Sequence, residues 1–278
     1  AGLVSWGAIG VHMIIWSTVL VAIFGLLFTL AVPATPAPVP ELAISRNPFP
    51  EVLRNLRFAA SRSDVFAAML ANSWFWFFGA IVLAQFPVYA RDVLHGAPEI
   101  FAVLLTAFSL GIGAGSLMCE RLSGGRLQLG LVPIGALGLT AFGIDLYLAS
   151  LGPMPSLLIA QDLLIGEQFR ILVDCLMLGM AGGIFVVPLF TLIQTRAERS
   201  HLSRIIGGMN ILNALFMVVA ALLAMVLLQA GLSVPEIFAT TAMLNLAVLI
   251  ALCLKQPEYP RALWTWLADF FGRPPLVK

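Results

Sequence analysis

Seven long apolar stretches separate the charged residues of this chain, and the basic residues fall almost entirely in every second gap between them. Of the fifteen lysines and arginines, all but Arg91 and Arg170 follow the first, third, fifth or last stretch. Because basic loops of membrane proteins are retained in the cytoplasm, this asymmetry predicts an all-α, polytopic membrane protein whose four basic segments are cytoplasmic.

The composition points to the same class. The chain is 60% hydrophobic and only 10% charged, far from the balance of soluble domains. Lipid cannot satisfy bare backbone groups, and the apolar runs do not alternate, so helices rather than a barrel are predicted. A net charge of +1 gives no sign of a nucleic-acid partner. The isolated Cys119, Cys175 and Cys253 show no metal or redox spacing, and no cofactor is expected.

The apolar stretches predict seven spans, each near the ~20 residues needed to cross a bilayer. The predicted spans are residues 9–32, 65–90, 98–119, 128–150, 171–194, 206–229 and 234–254. An odd number of helices that starts outside the cell and begins with Ala1 favours the later part of a longer protein. We therefore expect a missing N-terminal bundle ahead of this sequence.

The connecting segments predict how the spans are grouped. Residues 1–32 form the last helix of the N-terminal bundle, and residues 33–64 form a Pro-rich cytoplasmic linker with a short amphipathic helix. Residues 65–254 form a complete six-helix C-terminal bundle, the layout of a transporter built as six plus six. Residues 255–278 form an aromatic interfacial tail. The linker helix fits lipid headgroups or water equally well.

Two spans carry polar residues that predict a cavity. In the second span, Asn72 and Trp76 share one helical face and Gln85 lies on another, within an unusually aromatic run. An aromatic-walled cavity would accept a polar head with an acyl chain, whereas packing against lipid is the alternative. In the sixth span Asn210, Asn213 and Met217 share a face that either lines the cavity or bonds to a neighbouring helix.

Three charged residues fall inside or at the edge of spans, where charge is costly. Asp145 lies in the fourth span, and Asp174 opens the fifth beside Arg170. They predict either a coupling site or a structural ion pair, such as Asp174 with Arg170 one turn apart. Pro87 is expected to loosen the outer end of the second span.

The third span ends in small residues followed by charged ones. Gly111 and Gly115 have the spacing that lets another helix approach closely. The residues that follow resemble the element that members of the major facilitator superfamily carry between their second and third helices and again between their eighth and ninth. The matching residues are Ser116, Glu120, Arg121, Gly124, Gly125 and Arg126. The resemblance implies a conformational latch, with Ser116 in place of the usual glycine.

Five segments resemble the lysophospholipid transporter branch of that superfamily, in particular the transporter module fused to a phospholipid acyltransferase and an acyl–acyl carrier protein synthetase. These segments are residues 73–80 (SWFWFFGA), 115–126 (GSLMCERLSGGR), 130–138 (GLVPIGALG), 182–189 (GGIFVVPL) and 210–216 (NILNALF). The resemblance implies movement of lysophospholipid, chiefly lysophosphatidylethanolamine, across the bacterial inner membrane. It also implies a fused or adjacent acyltransferase as partner.

Two other functions remain open from the sequence. One is a membrane anchor that localises a lipid acyltransferase without transport. The other is a proton-coupled carrier of drugs or small molecules from the same superfamily, which requires Asp145 or Asp174 to face the pore. No Ser, His and Asp arrangement indicates a catalytic site, so this chain is not expected to be an enzyme.

Overall fold

The computed structural model describes residues 8–33, 50, 57, 60–166, 168–198 and 201–272, and within them it is helical without a β-strand. The helices are α1 (Ala8–Leu30), α2 (Ser63–Val88), α3 (Glu99–Ser123), α4 (Leu131–Ala149), α5 (Ala160–Ile165), α6 (Phe169–Arg196), α7 (Leu202–Gln229), α8 (Val234–Lys255) and α9 (Glu258–Gly272). A π-helical turn, Tyr89–Val93, continues α2.

Seven of the described helices, all except α5 and α9, are long and apolar enough to cross a membrane. They coincide with the seven predicted spans, and each boundary lies within four residues of its prediction. The chain therefore has the helices of a multi-pass membrane protein. The predicted tail helix is present as α9. The predicted linker helix at residues 50–58 and the Pro-rich segment lie almost wholly outside the described residues.

The chain divides into two units, residues 1–48 and 49–278. The first unit contains α1, whose described side chains are exposed along the whole helix. Its hydroxyl groups donate back to carbonyls of their own helix, as Thr18 does to Ile14 and Thr29 to Gly25. A helix whose hydroxyl groups are satisfied internally presents mostly apolar surface, which suits contact with lipid or other apolar helices.

The second unit is built from two triplets of helices, α2–α3–α4 and α6–α7–α8. The chain direction alternates from one long helix to the next, so the second triplet is inverted relative to the first. The packing repeats under this exchange: α3 packs on α6 as α7 packs on α2, and α4 packs on α6 as α8 packs on α2. The contacts α2–α6 and α4–α8 join the triplets. We name the two ends of this bundle the α5 end and the α9 end, after the short helix found at each.

The closest helix contact is between α3 and α6, and glycines make it. A Cβ on Gly115 would collide with the backbone of Met180, and one on Gly183 would lie 2.6 Å from the Ile112 carbonyl oxygen. Gly111 and Gly179 meet the facing backbones in the same way. The close approach predicted from the spacing of Gly111 and Gly115 is confirmed.

The end of α2 is irregular where Pro87 lacks a backbone N–H. The Tyr89 N–H is shared between the carbonyls of Gln85 and Phe86, and the Leu94 N–H donates to the Tyr89 carbonyl at 3.0 Å, five residues back. This wider turn begins two residues after Pro87, at the end of the span where loosening was predicted.

We predict that Gly115→Ala destabilises the bundle by about 1–3 kcal/mol, since the added methyl group must push apart two packed backbones. Gly113→Ala is the matched control, because a Cβ at Gly113 on the same helix meets nothing within 4 Å. Thermal unfolding in detergent, followed by circular dichroism, measures both variants. Equal midpoints for the two variants would contradict the glycine contact.

Candidate functional site

Most of the polar side chains buried in the bundle belong to two networks that meet on one short stretch of α2. Residues 72–76 contribute to both networks, facing α7 on one side and α4 and α8 on the other. Unpaired polar groups are costly away from water, so such networks fix how the helices are rotated against each other. At 1.5 Å per residue, the stretch lies roughly 14–20 Å along α2 from its start.

The first network joins α2 to α7 around Asn213. Its carboxamide lies 3.1 Å from the Asn72 amide, 2.8 Å from Ser73 Oγ and 3.2 Å from Trp76 Nε1. With the Asn213 oxygen turned towards Trp76, the indole N–H donates to it and the Asn213 amide donates to Ser73 and to the Met209 carbonyl. Asn72, Ser73 and Asn213 are buried, so the network is an interhelical joint that only Trp76 extends to the surface.

The second network joins α2, α4 and α8 around Asn245. The Asn245 amide donates to the Ala136 carbonyl at 2.8 Å and to Thr140 Oγ1 at 2.9 Å, and its oxygen accepts from Trp74 Nε1 at 2.9 Å. Asn245 was not among the residues predicted from the sequence. It could have been predicted, because it is the lone amide in the middle of the apolar span 234–254.

The aromatic run of α2 does not form a single cavity wall. Trp74 and Phe77 are stacked with their ring centroids 4.6 Å apart and are buried, as is Phe78. Trp76 is 40% exposed and Leu83 lies on the same open face. The predicted aromatic wall is therefore reduced to Trp76 on this helix, while the other rings pack the core.

The six predicted cavity residues fall into two groups. Asn72, Gln85 and Asn213 are buried between helices, whereas Trp76, Asn210 and Met217 are exposed. Of the face predicted either to line the cavity or to bond to a neighbouring helix, Asn213 bonds to α2, whereas Asn210 and Met217 are exposed. Gln85 Oε1 is buried without a hydrogen-bond partner among the described residues.

The latch residues lie together at the α9 end of α3. Gly124 and Gly125 adopt φ of 60° and 72°, the left-handed region, so the predicted glycine turn is present. Leu117, Glu120 and Arg121 line a shallow depression with these glycines. Ser116 donates to the Ile112 carbonyl at 2.8 Å. Among the described residues, neither Glu120 nor Arg121 forms an ion pair, and the exposed Arg126 forms none.

The charged residues at the α5 end pair differently from the prediction. Arg170 forms a bidentate ion pair with Asp145, through Nε at 3.1 Å and through Nη2. The predicted Asp174–Arg170 pair is corrected, because the fork of the guanidinium is occupied by the carboxylate of α4. Asp174 is buried, and one of its oxygens has no hydrogen-bond partner within the described part of the chain.

A second ion cluster, missed in the sequence, lies at the α9 end. Arg196 at the end of α6 forms a bidentate pair with Glu258 of α9, with Nη1 2.8 Å from Oε2, and also donates to Asp64 of α2 at 3.3 Å. It thereby joins three helices. Their separation of 62 and 132 residues from Arg196 left no local sequence signal.

Two further contacts dock α9 on the bundle. Trp266 Nε1 donates to the Leu122 carbonyl at 3.2 Å, and the backbone of Ala262 lies against Gly130, where a Cβ would come within 2.6 Å. Trp266 thus packs on the bundle, and it stacks on Phe270 with the ring centroids 5.1 Å apart, so these two rings share one side of α9. Trp264, on the other side of the helix, is exposed, and so is Phe270.

The electrostatics of α9 follow from this docking. The hydrogen bonds from Arg196 lower the pKa of Glu258 below its usual range. Burial raises the pKa of the neighbouring Tyr259 hydroxyl. A carboxylate that is stabilised in its ionised form adds to the docking of α9 as long as it stays ionised.

Comparisons with known proteins identify no relative. No protein-family model, no curated protein and no solved structure matches the chain. Among the described residues, no three His, Cys, Asp or Glu side chains are placed so that they could hold a metal ion.

We predict that Asn245→Leu destabilises the protein by about 1–3 kcal/mol, because it leaves the Trp74 indole N–H without its acceptor and removes the bonds from Asn245 to Ala136 and Thr140. Asn210→Leu, which changes an exposed Asn of α7, is the control and should leave the thermal midpoint unchanged. The double variant with Trp74→Phe should lose less than the sum of the two single changes. Additive losses would show that the bond between these side chains contributes nothing.

We predict that α9 loosens at acid pH. Because the folded-state pKa of Glu258 is lowered, its contribution is complete above the ordinary glutamate pKa of about 4.3 and is lost as the pH falls through the lowered value. A spin label on a cysteine introduced at Thr265 should become mobile over that range. Glu258→Gln should make the label mobile at neutral pH, and Glu99→Gln at the opposite end should not. A label in Glu258→Gln that stays immobile at neutral pH would exclude this role for the ion pair.

Proposed function

We propose that the chain is part of a transporter that moves a lysophospholipid, of the lysophosphatidylethanolamine type, across the bacterial inner membrane by alternating access. It would be the C-terminal bundle of a major facilitator-type protein together with one helix of the preceding bundle. The proposal rests on the resemblance of the five sequence segments and on the packing of the second unit.

The observation that carries the proposal is the inverted repeat of the two helix triplets. Inverted repeats of three helices are the building blocks of many secondary transporters, in which one bundle rocks against another around a site near the middle of the bilayer. Here the two polar networks lie near the middle of α2, where such a site is expected. A bundle whose helices are locked by glycine contacts and amide networks can move as one body.

The chemistry of the open face supports an amphipathic substrate. Trp76 is partly exposed beside the uncrowded Gly79, where a Cβ would meet nothing within 4 Å, and Leu83 continues this face towards the α5 end. The Trp76 indole offers one polar group next to apolar surface, which suits the junction between a headgroup and an acyl chain. A sugar carrier would need more polar groups than this face provides.

The distribution of charge supports the α9 end as the cytoplasmic end. Arg91 and Arg170, the two basic residues at the α5 end, are each paired with a carboxylate, Asp92 and Asp145. At the α9 end Arg121 and Arg126 are exposed and form no ion pair within the described residues. The positive-inside rule counts lysines and arginines whatever their partners, and the α9 end carries most of them.

The proposed latch lies at that same end. Glu120 and Arg121 are exposed around a glycine turn and are free to pair with a neighbouring helix in another conformation. An acyltransferase, fused or adjacent, is the proposed partner on the cytoplasmic side, where it would restore the missing acyl chain.

The main alternative is a membrane anchor for such an acyltransferase that carries no substrate. A proton-coupled carrier of small molecules is a further alternative, which the buried Asp174 favours. Neither alternative requires an aromatic group that contacts a lipid, so a substitution of Trp76 distinguishes them from the proposed function.

We predict that Trp76→Ala lowers the movement of fluorescent lysophosphatidylethanolamine between leaflets by about tenfold, the equivalent of about 1.4 kcal/mol. The full-length protein, reconstituted in vesicles, provides the assay. Ile250→Ala on α8 is the control, because it removes exposed apolar area away from the open face. Glu120→Gln should also abolish movement, through the latch.

Two outcomes separate the proposals. Failure of the wild-type protein to move the lipid would exclude the proposed function and favour the anchor. Wild-type activity with an undiminished Trp76→Ala variant would leave transport standing and remove Trp76 from the substrate path. Thermal unfolding of each variant distinguishes a lost activity from a lost fold.

A further inference from the structure

The α5 end of the bundle holds a carboxyl group that the fold does not explain. Asp174 is 1% exposed, and its Oδ2 has no hydrogen-bond partner within the described residues. A buried carboxylate without a partner costs several kcal/mol or more, so it is normally paired or neutral. Asp174 therefore needs either a cation or a proton.

The nearest cation is already engaged. Arg170 directs its fork to both carboxylate oxygens of Asp145, and this geometry uses its most favourable donors. Its side chain is 53% exposed, and that of Asp145 is 35% exposed. Exposure therefore decreases from Arg170 through Asp145 to Asp174, and the single positive charge is held at the open side.

The two carboxyl groups are neighbours. Asp145 of α4 is bonded to Arg170, which lies one turn before Asp174 on α6, so both carboxyl groups lie beside this guanidinium at the α4–α6 contact. Two ionised carboxylates at that range repel strongly, whereas one shared proton turns the repulsion into a hydrogen bond. The proton belongs on the partner that is more buried and farther from the guanidinium, because the ionised form is least stable there.

We propose that Asp145, Asp174 and Arg170 form a proton-binding site in which Asp174 carries the proton and donates it to Asp145. Release transfers the proton through the more exposed Asp145 to water. The ionised Asp174 then competes with Asp145 for Arg170 or takes up water. Either response weakens the α4–α6 contact at this end, so the proton holds the α5 end closed.

Other titratable groups lie at this end of the described part of the chain, and most have partners of their own. Tyr89 of the π-helical turn is hydrogen-bonded through its hydroxyl to Ser150 at 2.7 Å. Cys175, the next residue, is a buried thiol. Of the other acids near this end of α6, Asp162 accepts from the Ile159 N–H at 3.0 Å and Glu99 lies in the first turn of α3.

Infrared spectroscopy of the full-length protein in vesicles tests the site without any transport. At neutral pH the wild-type protein should show the carbonyl-stretching band of a protonated carboxylic acid, and the band should shift on exchange into heavy water. Asp174→Asn should remove the band. Asp92→Asn, which alters an exposed acid paired with Arg91, should leave it. A wild-type spectrum without the band, or a band that survives in Asp174→Asn, overturns the proposal.

Thermal unfolding gives a second, independent readout. Asn resembles the neutral acid in shape, so the Asp174→Asn variant should unfold at the wild-type midpoint near neutral pH. As the pH is raised, the wild-type midpoint should fall and that of the variant should not follow it. Parallel midpoints over the whole range would also overturn the proposal.

A role for this proton in transport rests on the proposed function. If the protein moves lysophospholipid, the wild-type rate should depend on the pH at the α5 end, and Asp174→Asn should lose that dependence. Lack of any lipid movement by the wild-type protein would exclude the transport function while the infrared band still establishes the proton site. A variant that keeps the wild-type pH dependence would remove the proton from the transport step.

Discussion

The contact between α3 and α6 sets the geometry on which the rest of the bundle depends. Lipid chains are as apolar as leucine, so membrane helices associate through close packing rather than through the hydrophobic effect. Gly115 and Gly183 bring the two backbones together, and Gly135 lets α4 approach the other side of α6, where a Cβ would lie 2.5 Å from the Phe185 nitrogen. With α3 and α4 packed against it, α6 is the central helix of this part of the bundle.

Helix α2 packs on α6, and its polar stretch bonds to the remaining helices α7 and α8. Asn213 of α7 and Asn245 of α8 both bond to residues 72–76, and Asn245 also reaches Thr140 of α4. Glycine contacts set how closely the helices approach each other. Amide networks also fix the register of the helices, since one register alone satisfies every donor. The two kinds of contact together give a bundle that resists both separation and slippage at mid-depth.

The features that depend on a single helix were predicted correctly from the sequence. The seven spans follow from length and hydropathy, and the approach at Gly111 and Gly115 follows from their spacing. The partners of charged and amide side chains did not follow. Arg170 pairs with Asp145, 25 residues away, and not with Asp174 one turn away. The reason is that the rotation of α4 against α6 brings the Asp145 carboxylate to the guanidinium. Likewise, burial of Asn213 but not Asn210 depends on which side of α7 is covered by α2.

The two ends of the bundle are closed by different contacts. Because the amide networks fix the helices at mid-depth, a change in shape is expected at the ends. At the α9 end, Arg196 ties α2, α6 and α9 together, and the docked Trp266 covers the end of α3. At the α5 end, α2 is loosened by Pro87, and a single ion pair lies above the buried Asp174. The two ends should therefore open by different changes: the α9 end by loss of the Arg196 ion pairs, and the α5 end by loss of the proton proposed for Asp174.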